Sequence, residues 1–171
     1  WTALAVVFIA AAVSTRAQTP SGTRVVQVAQ YTDFALILRG DGSVVGFGSD
    51  TSLLAARPSS PKGRIETPTV LDLPPRVTQI AMGSDMAYAL LDDGTLLAWG
   101  TNDGGQFGRG VGSSRTPANP LRSATPVRVS LPKPVTQIVA AGHHALARAV
   151  DGTVLTWGDT PSAGPVEMRV V

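Results

Sequence analysis

The sequence predicts an all-β protein built from repeated four-stranded units stacked face to face as propeller blades. Three observations predict it. One 24-residue text occurs three times, at 25–48, 77–100 and 135–158, without a gap. An Asp-Gly pair falls at the same offset in each copy: Asp41-Gly42, Asp93-Gly94 and Asp151-Gly152. A large aromatic followed by glycine closes each copy: Phe47-Gly48, Trp99-Gly100 and Trp157-Gly158. The second and third copies share 12 of their 24 positions, which rules out coincidence of composition.

Residues 3–13 read ALAVVFIAAAV and are a different kind of text. Eleven apolar residues are too few to span a bilayer but suit the apolar centre of a secretory signal. Thr15 and Ala17 supply small residues for cleavage after Ala17. Residues 1–17 are therefore expected to be a signal peptide truncated at its start, and 18–24 a linker. Export to the periplasm, cell surface or extracellular space follows as an expectation, with no stable membrane insertion once the signal is removed.

Residues 25–76, 77–134 and 135–171 are the three expected repeats. In the second, strands are expected near 77–82, 86–91, 95–100 and 125–131. Asp93-Gly94 joins the middle two, because glycine tolerates the positive φ of a type I′ hairpin or a bulged three-residue turn. The strands are apolar on both faces, as Leu96, Leu97 and Trp99 illustrate, so each sheet needs neighbours above and below. Such units repeated every 52 and 58 residues make a propeller. The difference in spacing lies in the loop after the aromatic-glycine pair, 18 residues at 49–66 against 24 at 101–124. Length variation confined to one loop marks a rigid unit with a tolerant surface connection. Gln27, Gln79 and Gln137 also recur, and are expected to be satisfied amides that hold units together.

Composition limits the chemistry. With no cysteine there is no disulfide, thiolate metal site or lipid-modified cysteine. A net charge of +2, without a basic run, gives no electrostatic footprint for nucleic acid. His143-His144 has no third ligand nearby, and adjacent strand residues face opposite ways, so no metal site is expected. Asp92-Asp93 is explained by turn geometry rather than paired-carboxylate catalysis. The glycine-rich text from Gly104 to Gly110 lacks the Lys-Ser/Thr of a phosphate loop, so no nucleotide or other cofactor is expected. Ser113-Ser114 has no histidine partner and no nucleophile signature.

At 77–110 the second unit resembles the repeat of the regulator of chromosome condensation family, exported bacterial-type members included. The resemblance rests on Val77, Ile80, Gly83, Asp93, Gly94, Trp99, Gly100, Asn102, Gly105, Gln106, Gly108 and Gly110, with Phe107 for the family leucine. His144 takes the family histidine position, which is Met86 and Phe34 in the other units, and Ala141 stands where Gly83 does. The first and third units lack the Asn-x-x-Gly-Gln text. The family implies a β-propeller that usually closes with seven blades, of which about three lie here, the remaining blades being expected in a longer exported protein. It implies a structural role for the repeat residues Asp41, Gly42, Phe47, Gly48, Asp93, Gly94, Trp99, Gly100, Asn102, Gly105, Gln106, Gly108, Asp151, Gly152, Trp157 and Gly158.

The expected function is a non-enzymatic scaffold that binds an unidentified protein partner. Its alternatives are a secreted enzyme inhibitor of the same fold and guanine-nucleotide exchange on a small GTPase. The long loop 101–124 is the candidate partner-binding loop, through Arg109, Arg115 and Arg122, because binding residues concentrate on loops held by a rigid scaffold.

Overall fold

The computed structural model describes residues 24–49, 63–109, 121–159 and 164–168. The expected signal peptide, the linker before residue 24 and Arg115 lie outside the described residues. Twelve strands run in order: β1 (Val25–Tyr31), β2 (Phe34–Arg39), β3 (Val44–Ser49), β4 (Arg64–Val70), β5 (Val77–Gly83), β6 (Met86–Leu91), β7 (Leu96–Thr101), β8 (Arg122–Arg128), β9 (Val135–Ala141), β10 (His144–Ala149), β11 (Val154–Gly158) and β12 (Val166–Met168). They form three four-stranded antiparallel meanders in sequence order, and no helix occurs among the described residues. Neighbouring sheets meet through their first strands, β1 against β5 and β5 against β9. These are three consecutive blades of a β-propeller.

The opening text, Val-x-x-Ile in blades two and three and Val-x-x-Val in blade one, encodes a bulge. Pairing of β5 with β6 slips between Val77 and Gln79, and pairing of β9 with β10 slips at the equivalent place. One extra residue resets the two-residue alternation of the strand. Val77 and Ile80, three apart, are thereby both buried, as are Val135 and Ile138.

The Asp-Gly turns are bulged three-residue turns, not type I′. Gly42, Gly94 and Gly152 each donate to the carbonyl three residues back, and the flanking Arg39, Leu91 and Ala149 amides bond Ser43, Thr95 and Thr153. The glycines take φ of 80°, 80° and 86°. Each Asp accepts the N–H of the residue two places on, at 2.8 to 3.0 Å.

The glycines after Phe47 and Trp157 answer a close approach. Gly48 and Gly158 have φ of 118° and 114°. A Cβ on either would overlap the carbonyl oxygen of Asp33 or His143. The same carbonyls accept the next amide along, from Ser49 and Asp159.

Two apolar clusters fill the two blade boundaries. Between blades one and two lie Phe34, Leu36, Leu38, Ile80, Ala87 and Trp99. Between blades two and three lie Tyr88, Leu90, Leu96, Ile138, Ala145 and Trp157. Trp99 and Trp157 thus each face the preceding blade.

One expectation is corrected. The fourth strand of the second unit is β8, Arg122–Arg128, not 125–131. Polar Arg122 and Ser123 extend the outer ladder opposite Thr101 and Gly100, and Pro126, which has no N–H, is absorbed where the register slips opposite Trp99. Phe47, at the strand offset of Trp99 and Trp157, is exposed. It faces the side of blade one on which no blade stands among the described residues.

Candidate interaction surface

The glycine-rich loop divides into a fixed part and a presented part. Asn102 leaves β7, its amide bonding the Leu121 carbonyl at 2.8 Å, and its side-chain oxygen accepts the Phe107 N–H at 2.8 Å. That ring closure turns the chain inward, burying Gln106 and Phe107. The Gln106 carbonyl accepts two hydrogen bonds, from Tyr88 Oη at 2.7 Å and from Trp157 Nε1 at 2.9 Å. Tyr88 and Trp157 also meet edge to face, their ring centres 6.0 Å apart. Burial pushes the Tyr88 hydroxyl well above its ordinary pKa, so it remains a donor.

The Gln106 side chain completes the wedge. Its Oε1 accepts the Gly104 N–H at 2.9 Å, and its Nε2 faces Asp103 Oδ1 at 3.1 Å and His143 Nδ1 at 3.2 Å. With Nε2 as donor, His143 accepts at Nδ1 and carries its proton on Nε2. His143 stands in the turn between β9 and β10 rather than in a strand, while His144 opens β10. Among the described residues no group of three His, Cys, Asp or Glu is placed to hold a metal ion.

Beyond the wedge the loop turns outward. Gly108 packs where a Cβ would strike Val129, and Arg109 follows it into solvent. Arg122 is exposed on edge strand β8, not within the loop. The structure therefore brings Asn102, Gly105, Gln106 and Gly108 into a blade-to-blade contact and leaves Arg109 and Arg122 at the surface.

The turn carboxylates form no acid–base pair. Asp92 bonds Arg76 Nε at 2.6 Å at the surface. Hydrogen bonds from Ser43 and Thr95 hold Asp41 and Asp93 below the usual carboxylate range. Asp151 is held down to about 2, chiefly by the Lys133 ammonium and then by Thr153. Lys133 binds Asp151 at 2.9 Å and Glu167 at 2.8 Å, tying the linker before β9 to β12.

The recurrent glutamines cross the blade boundaries. Gln27 donates from Nε2 to the Ile80 carbonyl at 2.8 Å, and its Oε1 accepts the Ile80 N–H at 2.9 Å. Gln79 Oε1 accepts the Ile138 N–H at 2.8 Å. Gln137 is exposed. An open groove of about 490 Å³ runs along the inner strands past Thr78, Gln79, Thr136 and Gln137. Sequence reasoning missed the Tyr88–Gln106–Trp157 clasp, because neither Tyr88 nor Gln106 recurs in the other units.

Comparison with known proteins agrees with this geometry. Two models of the "Regulator of chromosome condensation (RCC1) repeat" match, at residues 93–148 and 77–106. The human "Regulator of chromosome condensation" is 29% identical over 121 residues, covering 71% of this chain and 28% of its own length. The "Guanine nucleotide exchange factor SRM1" of Saccharomyces cerevisiae is 32% identical over 141 residues, covering 78% of this chain and 28% of its own length. The chain thus spans under a third of either relative. In the crystal structure of Kap60 bound to yeast RCC1 (Prp20), a chain 26% identical superposes with a TM-score of 0.70, over 90% of this chain and 39% of that one. Human WBSCR16, 23% identical, shares the fold with a TM-score of 0.67, over 86% of this chain and 38% of its own.

Proposed function

Because the chain belongs to the regulator of chromosome condensation repeat family, we propose that it is an exported, non-enzymatic propeller scaffold that binds a protein partner through the loop that carries Arg109. The observation that carries this reading is the division of that loop. Residues 102–108 are locked between two blades by the Asn102 and Gln106 hydrogen bonds, so the chain beyond is held at a rigid base. Arg109 is exposed at once beyond it, and Arg122 is exposed where the chain re-enters the sheet. Arg115 lies between them in sequence. Arginines so placed speed association with an acidic surface and make it salt-sensitive. The yeast family member in complex with Kap60 supports protein binding as a use of this fold.

The signal-like text of residues 1–17 supports export. A second reading, nucleotide exchange on a small GTPase, is favoured by the similarity to the yeast exchange factor. An export signal argues against it, since small GTPases act inside the cell.

The test has two arms. Residues 1–24, preceded by an initiator methionine, are fused to a reporter in a bacterium, and the mature N-terminus is sequenced. Cleavage after Ala17 with the reporter outside the cytoplasm is expected; an uncleaved cytoplasmic reporter contradicts export. Release of labelled GDP from a panel of small GTPases is then followed with and without the chain. Unchanged release is expected, and clear acceleration would establish the exchange reading instead.

A further inference from the structure

Two partners fix the orientation of the Gln106 amide. Its oxygen accepts the Gly104 N–H at 2.9 Å, a group that can only donate. Its nitrogen lies 3.1 Å from the Asp103 carboxylate, a group that can only accept. The second hydrogen of that nitrogen is directed at His143 Nδ1, 3.2 Å away across the boundary between blades two and three. His143 therefore serves this contact only as a neutral ring with Nδ1 unprotonated. Turning the amide over is no escape, because it would set N–H against N–H at Gly104 and oxygen against carboxylate at Asp103.

The fold does not require a histidine here. The same turn position holds Asp33 in blade one and Asp85 in blade two. What each blade uses is the carbonyl: those of Asp33, Asp85 and His143 accept the Ser49, Thr101 and Asp159 amides at 2.9, 2.7 and 3.1 Å. The neighbouring Gly142 carbonyl accepts the Ser84 N–H at 2.7 Å, so the backbone of the turn is held from two sides. His143 itself is exposed, whereas Gln106 is fully buried and held at both ends of its amide. When the contact between them breaks, the imidazole is the part that moves.

Carboxylates stand around this turn. Asp103 shares the Gln106 nitrogen with the ring. Asp159 binds the His143 carbonyl through its amide, and Asp85 stands in the blade-two turn whose Ser84 binds Gly142. All three are exposed. The other charged or titratable neighbours in sequence are His144, next in the chain, and Arg109, three residues beyond Gln106. An imidazolium that leaves Gln106 thus has a carboxylate at hand, Asp103 first. Of these side chains only the imidazoles ordinarily change charge between about pH 5 and 8.

We propose that His143 is a proton-operated latch at the base of the loop that carries Arg109. Neutral, it accepts from the Gln106 amide and ties the turn of blade three to the loop base of blade two. Protonated at Nδ1, it can no longer accept. The ring then leaves Gln106 and pairs with the Asp103 carboxylate, bringing a positive charge to the loop base. The latch acts on the side chain alone, because the Gln106 carbonyl stays clasped by Tyr88 and Trp157. Its bearing on partner binding rests on the role proposed above for the Arg109 loop; the latch itself does not.

The test follows the full chain, labelled with stable nitrogen and carbon isotopes and with no partner present, by NMR from about pH 8 to 5. At the upper limit the His143 ring is expected as the Nε2–H tautomer. On acidification the Gln106 side-chain amide resonances are expected to shift in step with the His143 ring, while the Gly104 amide keeps its protection from exchange. His143→Phe is expected to abolish this pH step at Gln106, and His144→Phe to leave it intact. Asp103→Asn removes the carboxylate that receives the imidazolium and is expected to hold the latch closed to lower pH. An Nδ1–H tautomer at the upper limit overturns the proposal. So do Gln106 amide resonances that stay still while His143 titrates, the same step in His143→Phe, or a step that Asp103→Asn leaves in place. Failure of the Arg109 loop to bind a partner would change none of these readouts.

Discussion

Trp157 of the third blade donates its indole N–H to the Gln106 carbonyl of the second at 2.9 Å, so a wedge from one blade is bolted by the aromatic of the next. Tyr88 donates to the same oxygen from the other side. Trp157→Phe keeps most of the packing and removes one of the two donors. It is expected to destabilise by about 1–2 kcal/mol in denaturant melting, the range for a lost buried hydrogen bond. Trp99→Ala, which empties a fully buried site in the first boundary, is expected to lose about 3–5 kcal/mol. A change under about 1 kcal/mol for Trp99→Ala would place that ring at a surface instead.

The glycine after the aromatic gives a sharper backbone test. Gly158 takes a φ of 114°, and any Cβ there would meet the His143 carbonyl and the His144 Cα. Gly158→Ala is expected to destabilise by at least about 2 kcal/mol, because backbone strain and overlap add. Gly152→Ala, where φ is 86° but nothing lies within reach of a Cβ, carries the φ penalty alone and is expected to do less harm. Equal losses in the two melts would remove the close approach as the reason for the Trp-Gly text.

Acid should loosen the third blade. Asp151 falls from 3.8 to about 2 in the folded chain, first through Lys133 and then through Thr153. The unfolded chain then binds more protons between these values, so stability rises with pH across the window. The contribution is complete above about 3.8 and is lost as pH falls through about 2. Melting temperature is expected to drop more steeply between those limits for the unmodified chain than for Asp151→Asn. Parallel profiles would mean that the Lys133 contact adds nothing to folding.

Much of the fold was legible because backbone geometry itself demanded the residues. Gly94 supplies a positive φ, Gly158 a close approach, and the Val77–Ile80 spacing a bulge. These demands recur from blade to blade, so repetition exposes them. The start of β8 was hidden because Arg122, Ser123 and Pro126 carry no strand pattern; they pair at an outer edge where β7 supplies the template. The clasp on Gln106 joins residues 51 apart, and two of its members occur once, so no spacing could signal it. Of the candidate site, Arg109 was singled out only as part of the loop 101–124, and nothing in the spacing signalled that Arg122 stands in a strand.

The most direct measurement of the scaffold reading compares partner affinity for the full chain and for a chain lacking residues 111–120. The deletion stops before Leu121, whose carbonyl anchors Asn102, and before β8. Partners are captured from the native extracytoplasmic fraction, identified, purified and titrated against both chains at low and high salt. Unchanged melting of the shortened chain is expected, with affinity at low salt weakened about tenfold or more and a smaller salt dependence. Equal affinity and equal salt dependence for the two chains would contradict it and move the binding surface away from the arginine loop.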